Sequence, residues 1–237
     1  MNKQNSIAGY ALITVGVALI SAALIAGCAQ PRPDTQAERD FSHMSPEAYA
    51  EYLIFRSGSF NLDQATQEGT TAADRMVQDP LQRMCSEARN RPQPELAVRI
   101  VGAARDSIVY PEGGIKLGDW RQGAELARSG TGFRIGHNVD DHSRPVGGNC
   151  YACHQLDPDE LGFGNLGPSL AAYGALRGDS EAVRKFVYDM IYNPHSYFPC
   201  TQMPRFGVSE FLTQESISHI MAYLLDPESP VNSRHAR

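Results

Sequence analysis

The sequence predicts an all-α protein, because its regular segments repeat apolar residues at helical spacing and none alternates them as an exposed strand does. The clearest helix covers 213–225, where one apolar stripe recurs at i, i+3, i+4, i+7 and i+8. Its members are Ile217, Ile220, Met221, Leu224 and Leu225. The chain has 237 residues, of which 42% are hydrophobic and 20% are charged. This composition excludes a wholly disordered or collagen-like protein.

The N-terminal segment is predicted to be an export signal. Lys3 precedes an uncharged run over residues 7–27, and a basic start followed by an apolar run is typical of a signal peptide. The run closes with Leu24-Ile25-Ala26-Gly27-Cys28, which resembles the lipobox of bacterial lipoproteins and implies that Cys28 is lipidated. Two alternatives stay open, namely ordinary cleavage near Ala29 and a retained helix long enough to span a bilayer. We expect a periplasmic protein, anchored to a membrane by lipid if Cys28 is modified.

Beyond the signal peptide of residues 1–27, the chain is expected to have four parts. They are a polar, proline-bearing linker (28–44), a helical extension (45–115), a main domain (116–228) and a polar tail (229–237).

The extension is predicted to consist of helices. Ser45 and the proline after it open the first helix. Residues 62–90 are predicted to be helical with interruptions near Gly69 and Pro80, and 94–104 form a further short helix. This part has no catalytic or metal-binding signature, so we expect it to pack on the next domain or on a partner protein.

Three capped helices are predicted in the main domain, separated by long loops. They begin after Asp119, Ser180 and Thr213, whose side chains are good N-caps. Residues 131–178 and 193–211 have few regular patterns. Long loops in a compact domain usually carry function.

The loop before the second of these helices contains Cys150-Tyr151-Ala152-Cys153-His154. C-x-x-C-H is the attachment sequence of c-type haem, in which both thiols become thioethers and the imidazole binds iron from the proximal side. A thioredoxin-like redox pair would need a βαβ context, which the sequence lacks. A structural zinc site would need a second Cys/His pair nearby, which is also missing. The motif therefore predicts one covalently attached haem c, held by Cys150, Cys153 and His154.

Met203 is the best candidate for the sixth iron ligand, because it lies in a proline- and glycine-punctuated loop that can approach the distal face. His195 is the rival ligand. Met190 and Met221 lie on apolar helical stripes and are expected in the core, and His219 is expected to be solvated. A His/Met-ligated iron has no open position for substrate, so we expect electron transfer without bond chemistry.

The remaining cysteines are Cys85 and Cys200. In an oxidising periplasm we expect them to form a disulfide, and a reactive Cys200 beside the haem is the alternative. The net charge of −6 and the lack of any Lys/Arg block exclude the usual nucleic-acid binders.

The order of these features resembles class I cytochrome c: an amphipathic helix, C-x-x-C-H, a capped helix, a loop methionine and a terminal helix. In that fold the first and last helices cross. The candidates for the contact are Trp120, Ala124 and Ala127 on one helix and Ile220, Tyr223 and Leu224 on the other.

Residues 116–232 more specifically resemble the SoxX family, the monohaem cytochrome subunits of the SoxAX complex of thiosulfate oxidation. The motifs are Gly147-Gly148-Asn149-Cys150-Tyr151-Ala152-Cys153-His154-Gln155, Leu166-Gly167-Pro168-Ser169-Leu170, Tyr173-Gly174, Leu176-Arg177-Gly178, Met203-Pro204-Arg205-Phe206-Gly207 and Ala222-Tyr223-Leu224-Leu225-Asp226-Pro227.

The resemblance implies an electron-accepting subunit of a heterodimer with a SoxA-like haem-c protein. That complex is an L-cysteine S-thiosulfotransferase, which joins thiosulfate oxidatively to a cysteine of the SoxYZ carrier. The resemblance places the catalytic cysteine in SoxA and no catalytic residue in this chain, which passes electrons to a downstream cytochrome. The alternative is a free-standing exported lipoprotein cytochrome c that carries electrons between membrane complexes.

Overall fold

The computed structural model describes residues 40–66, 69–132, 143 and 145–233. These residues divide between two compact units, Met1–Tyr52 and Leu53–Arg237. The described residues form helices without any strand, which confirms the all-α prediction. The helices are α1 (Pro46–Phe55), α2 (Ala72–Met76), α3 (Pro80–Glu87), α4 (Pro94–Asp106), α5 (Trp120–Arg128), α6 (Tyr173–Arg177), α7 (Glu181–Tyr192), α8 (Gln214–Leu225) and α9 (Pro230–Ser233).

In the first unit, the described residues contain the start of α1. Ser45 caps it as predicted, because the Ala48 amide donates to Ser45 Oγ at 3.2 Å. The Phe41 ring packs against the rings of Tyr49 and Tyr52 at centroid distances of 5.0 and 4.9 Å. This small aromatic cluster fixes the approach of the chain to the helix.

The prediction of helix over 62–90 is wrong for its first third. The described residues of this part, 62–66 and 69–71, form turns and bends and one antiparallel bridge between Ala65 and Thr71. Gly69, with φ of 85°, adopts a backbone conformation that favours glycine. Helix begins only at α2, where Thr71 and Asp74 form a capping box.

The second unit is organised around the crossing of α5 and α8. Their buried faces are Gly123, Leu126 and Ala127 on α5 and Ile217, Ile220, Met221, Tyr223 and Leu224 on α8. At Gly123 a side chain would overlap the carbonyl oxygen of His219. The sequence prediction of the crossing is correct for the pair of helices, but it missed this glycine, which sets how closely they approach.

His219 is not solvated as predicted. Its side chain is 12% exposed, and its Nδ1 accepts a hydrogen bond from the Asp119 amide at 2.8 Å. The cause is the close approach at Gly118 and Gly123, which brings the start of α5 against this side of α8.

The segment expected to be a polar tail begins with α9, which is part of the folded unit. Val231 is fully buried. Asn232 Nδ2 donates to the carbonyl oxygens of Leu224 at 3.0 Å and Asp226 at 2.9 Å. These carbonyls lie at the C-terminal end of α8 and lack helical partners, so Asn232 completes the end of that helix.

Residues 53–115 belong to the same compact unit as 116–228. Helix α4 packs against a short 3₁₀ turn at Pro194–Ser196. Ile108 joins the main core, while Cys85, Ile100 and Cys200 form a second buried cluster. The predicted extension is thus joined to the main domain at two places. One is the chain that follows α7, and the other is the side of α7 and α8 where Tyr188 and Gln214 donate to the Val109 carbonyl at 2.7 and 3.0 Å.

The α5–α8 crossing generates a stability prediction with a matched control. We expect Gly123→Ala to lower the free energy of unfolding by about 1–3 kcal/mol, because backbone atoms of α8 occupy the space of the new methyl group. Gly102→Ala on α4 meets nothing within 4 Å, so it should raise the free energy by roughly 0.5–1 kcal/mol through helix propensity. Urea unfolding of both variants measures the difference, and equal effects would contradict the role of Gly123.

Candidate functional site

The C-x-x-C-H segment is positioned by the C-terminal end of α5. The amides of Gly147, Gly148 and Asn149 donate to the carbonyl oxygens of Thr131, Leu126 and Ser129 at 3.0, 2.9 and 2.9 Å. Asn149 then adopts a left-handed conformation with φ of 48°, which asparagine tolerates better than most residues. The chain turns there into a 3₁₀ turn over Cys150–Ala152.

Glycine is required in this approach to the motif. A side chain at Gly147 would lie 2.6 Å from the Leu126 carbonyl oxygen. A methyl group at Gly148 would lie 3.2 Å from Cys150 Sγ. Both glycines belong to the motif around Cys150, but their contacts come from residues distant in sequence and could not be predicted from that motif.

His154 is oriented by a hydrogen bond to the chain downstream. Its Nδ1 lies 2.7 Å from the carbonyl oxygen of Pro168. A carbonyl oxygen only accepts, so Nδ1 is the donor of this hydrogen bond. A side chain at Gly167 would overlap the imidazole ring. The structure therefore fixes the orientation of the His154 ring through its Nδ1.

The two cysteines of the motif are not bonded to each other. Both are half-buried, and burial raises the pKa of the Cys150 thiol to about 12. Within the described parts of the chain, no three or more His, Cys, Asp or Glu side chains are grouped to hold a metal ion. The motif offers two thiols and one oriented imidazole. This set fits covalent attachment of a haem, which would bring its iron with it.

Several large apolar residues next to the motif are exposed. Leu161 is 105% exposed and Leu166 is 77% exposed, and Tyr151 and Phe163 are also exposed. Hydrogen bonds from the Gly164 and Gly167 amides to the carbonyls of Tyr151 and Cys153, each 2.9 Å long, hold this segment against the motif. Exposed apolar residues at this density mark a candidate binding surface for an apolar group or partner.

The structure brings the loop of Met203 to the same core as the motif. Cys150 and Met203 are both half-buried and pack against the main core cluster. A methyl group at Gly148 would lie 3.6 Å from Phe206 Cζ, which places the end of this loop beside Cys150. Met221, in contrast, is fully buried within the core, as the sequence predicted, and Met190 is half-buried on α7.

Cys85 and Cys200 form the disulfide expected from the sequence, with Cα atoms 5.3 Å apart. His195 lies beside it. The Cys200 amide donates to His195 Nδ1 at 3.3 Å, and Cys85 Sγ is 3.9 Å from the same nitrogen. The rival ligand of the sequence analysis is thus a buried neighbour of the disulfide.

The environment of His195 generates a pH prediction. Burial, and then the charge of Arg205, lower its pKa from the ordinary 6.5, with Asp79 acting in the opposite direction. The unfolded chain therefore takes up the proton first, and stability falls as the pH drops below about 6.5. We expect His195→Gln to remove this part of the pH dependence, as measured by urea unfolding between pH 5 and pH 8 (roughly the range of histidine titration). The exposed His43 provides the control variant, His43→Gln, which should behave as wild type. Parallel curves for wild type and His195→Gln would contradict the assignment.

Within the described residues no helix is long and apolar enough to cross a membrane. The predicted signal peptide and Cys28 lie outside those residues. No protein-family model matches the chain. An uncharacterized lipoprotein of Aquifex aeolicus (strain VF5) is 41% identical over 157 residues, which is 66% of this chain and 73% of the relative. Because the match is this strong over most of the relative, the chain belongs to the same protein family as that lipoprotein.

Proposed function

We propose that the protein is an exported cytochrome with one haem c that accepts and passes on electrons. The observation that carries the proposal is the orientation of His154, whose Nδ1 is bound to the Pro168 carbonyl at 2.7 Å, which leaves Nε2 as the nitrogen that would bind the haem iron. This imidazole directly follows a pair of unbonded thiols at the spacing of haem attachment.

Each residue of the site has a defined task in this proposal. Cys150 and Cys153 hold the haem through thioethers, His154 provides the proximal nitrogen and Met203 the distal sulfur. When bound, the haem supplies a one-electron redox centre, whose potential depends on these axial ligands. Pro168 keeps the proton on Nδ1 of His154, and Gly167 leaves room for the ring. With both axial positions filled by protein, the chain transfers electrons and performs no bond chemistry.

Export and lipid anchoring are supported by three independent features. The sequence up to Cys28 has the order of a lipoprotein signal. The relative from Aquifex aeolicus carries the description lipoprotein. The Cys85–Cys200 disulfide suits an oxidising compartment such as the periplasm. We propose that Cys28 is lipidated and that the folded units are tethered to a membrane in the periplasm.

The proposed role of the cytochrome is that of the SoxX-like subunit of a thiosulfate-oxidising SoxAX complex. The support is the set of SoxX-like motifs, one of which contains both Gly167 and Pro168, the residues that contact His154. A SoxA-like partner would supply the catalytic cysteine and use the SoxYZ carrier as substrate. A downstream cytochrome would receive the electrons.

Axial ligation is tested by spectroscopy of the matured protein. We expect Met203→Ala to retain covalent haem but to lose the far-red Met–iron charge-transfer band and to bind cyanide readily, because the sixth position opens. Met190→Ala, on the half-buried face of α7, is the matched control and should keep both properties. Loss of the band in Met190→Ala, or an unchanged spectrum in Met203→Ala, would remove Met203 from the site. Cys150→Ser/Cys153→Ser should leave no haem stain after denaturing electrophoresis.

The partner is tested by affinity purification of the tagged full chain from the cell envelope of its host, grown on thiosulfate. We expect a second haem-c protein to co-elute in a constant ratio, and thiosulfate to reduce the complex only when that partner is present. A monohaem protein eluting alone would instead favour the free-standing lipoprotein cytochrome that shuttles electrons between membrane complexes.

A further inference from the structure

The loop that carries Met203 is tied to α3 on both sides of that methionine. Three residues before it, Cys200 is bonded to Cys85 in the middle of α3. Two residues after it, Arg205 forms an ion pair with Asp79, the N-cap of α3, at 2.5 Å. The two ties reach across 115 and 126 residues of sequence, so they connect the N-terminal helices to one short loop.

Helix α3, to which both ties attach, is itself firmly held. Asp79 and Gln82 form a capping box at the start of α3. Cys85 packs with Ile100 of α4 and Cys200 in a buried cluster that Leu81, Met84 and Leu96 complete. Both ties therefore end on a helix that cannot move without disrupting buried packing.

The ion pair is not an ordinary surface contact. The Asp79 side chain is 42% exposed, but the Arg205 side chain is only 11% exposed, and a charge placed as deeply as that of Arg205 depends on its partner far more than an exposed one does. Burial raises the pKa of Asp79, but hydrogen bonds from the Gln82 amide and Arg205 outweigh it and hold the pKa below its usual value. Asp79 is consequently ionised at neutral pH and always available to Arg205.

Met203 is only partly held by its immediate surroundings. It packs against the main core on one side, but it also lines a cleft of about 360 Å³ between α3 and the loop, together with Gln78, Gln82, Gln202, Pro204 and others. The hydrogen bonds of the loop backbone at this point are local, from the Thr201 amide to the Phe198 carbonyl and from the Met203 amide to Thr201 Oγ1. Contact with the main domain is renewed at Phe206, which is buried in the main core, and at Gly207, whose amide donates to the Tyr192 carbonyl.

We propose that the Cys85–Cys200 disulfide and the Asp79–Arg205 ion pair act as a clamp that positions Met203 as the distal ligand of the haem iron. This inference rests on the proposed function, because it takes Met203 to be that ligand. Asp79, Cys85, Cys200 and Arg205 are positioning residues that do not touch the haem iron. The helices of residues 72–106 serve to keep the sixth ligand from dissociating.

The test is a titration of the ferric, haem-loaded full chain with imidazole, which competes with the methionine for iron. We expect Cys85→Ser/Cys200→Ser and Asp79→Asn each to bind imidazole about tenfold more tightly than wild type, which corresponds to about 1.4 kcal/mol. Asp179→Asn is the matched control, because Asp179 forms an ion pair of the same 2.5 Å length with Arg184 at the start of α7. Its affinity should equal that of wild type. Asp79→Glu, which keeps the carboxylate, should restore part of the wild-type affinity.

Several outcomes would overturn the clamp. One is an unchanged imidazole affinity in both clamp variants. Another is an equal gain of imidazole affinity in Asp179→Asn, which would show that the variants loosen the protein in general. Amide hydrogen exchange of residues 201–206 provides a readout that needs no haem, and it should be faster in both clamp variants than in the control. If the matured wild-type protein carries no haem, the proposed function is refuted. The exchange rates would then still decide whether the loop is clamped. Wild type with haem but another sixth ligand would overturn both proposals.

Discussion

The structure of the second unit depends on the backbone contact between α5 and α8 at Gly123. This contact fixes the direction of α5, and the carbonyl groups at the end of α5 then receive the amides of residues 147–149. Cys150 follows directly, and His154 is joined to it by a hydrogen bond from its own amide to the Cys150 carbonyl at 2.9 Å. The position of the His154 imidazole thus depends on the crossing of α5 and α8, to which it is connected by backbone hydrogen bonds. Because backbone atoms carry the whole path, the side chains that face outward along it remain free to form a binding surface.

The opposite side of the proposed haem site is built on a different principle. The chain after α7 has little regular structure, and irregular segments are the parts of a protein that open most readily. Here the fixed points come from far away in the sequence, through a disulfide and an ion pair whose arginine is largely buried. His195 adds a third element, because its neutral Nδ1 accepts the amide hydrogen of Cys200. His154 is therefore held by backbone hydrogen bonds of the chain around it, whereas the loop of Met203 is held by ties to residues far away in the sequence.

The sequence was sufficient for the elements whose cause is local. Asp119, Ser180 and Thr213 each cap the helix that was assigned to them, because a cap and its helix are neighbours in the chain. It was insufficient where the cause lies elsewhere: no spacing rule connects Asp79 to Arg205, Gly123 to His219 or His154 to Pro168. The helix prediction for residues 62–66 and 69–71 failed for another reason. Local propensity alone cannot show that the amides of Ala72 and Ala73 donate to the carbonyl oxygens of Gln64 and Leu62. The motif predicted where the candidate site lies, but the sequence could not predict how the side chains of the site are oriented.

The two ties of the Met203 loop respond to different conditions, which explains why both are useful. A disulfide that closes a loop of this length stabilises a fold by about 4–5 kcal/mol in the chain-entropy account, and neither salt nor moderate pH affects it. The ion pair is insensitive to reductants, but it weakens when Asp79 is protonated. Since no single change of pH, salt or redox state releases both, the surviving tie limits how far the loop moves from α3 when the other is broken. A segment without any catalytic signature can therefore contribute to the proposed haem site by position alone, because it holds the thioether of Met203 in a fixed place.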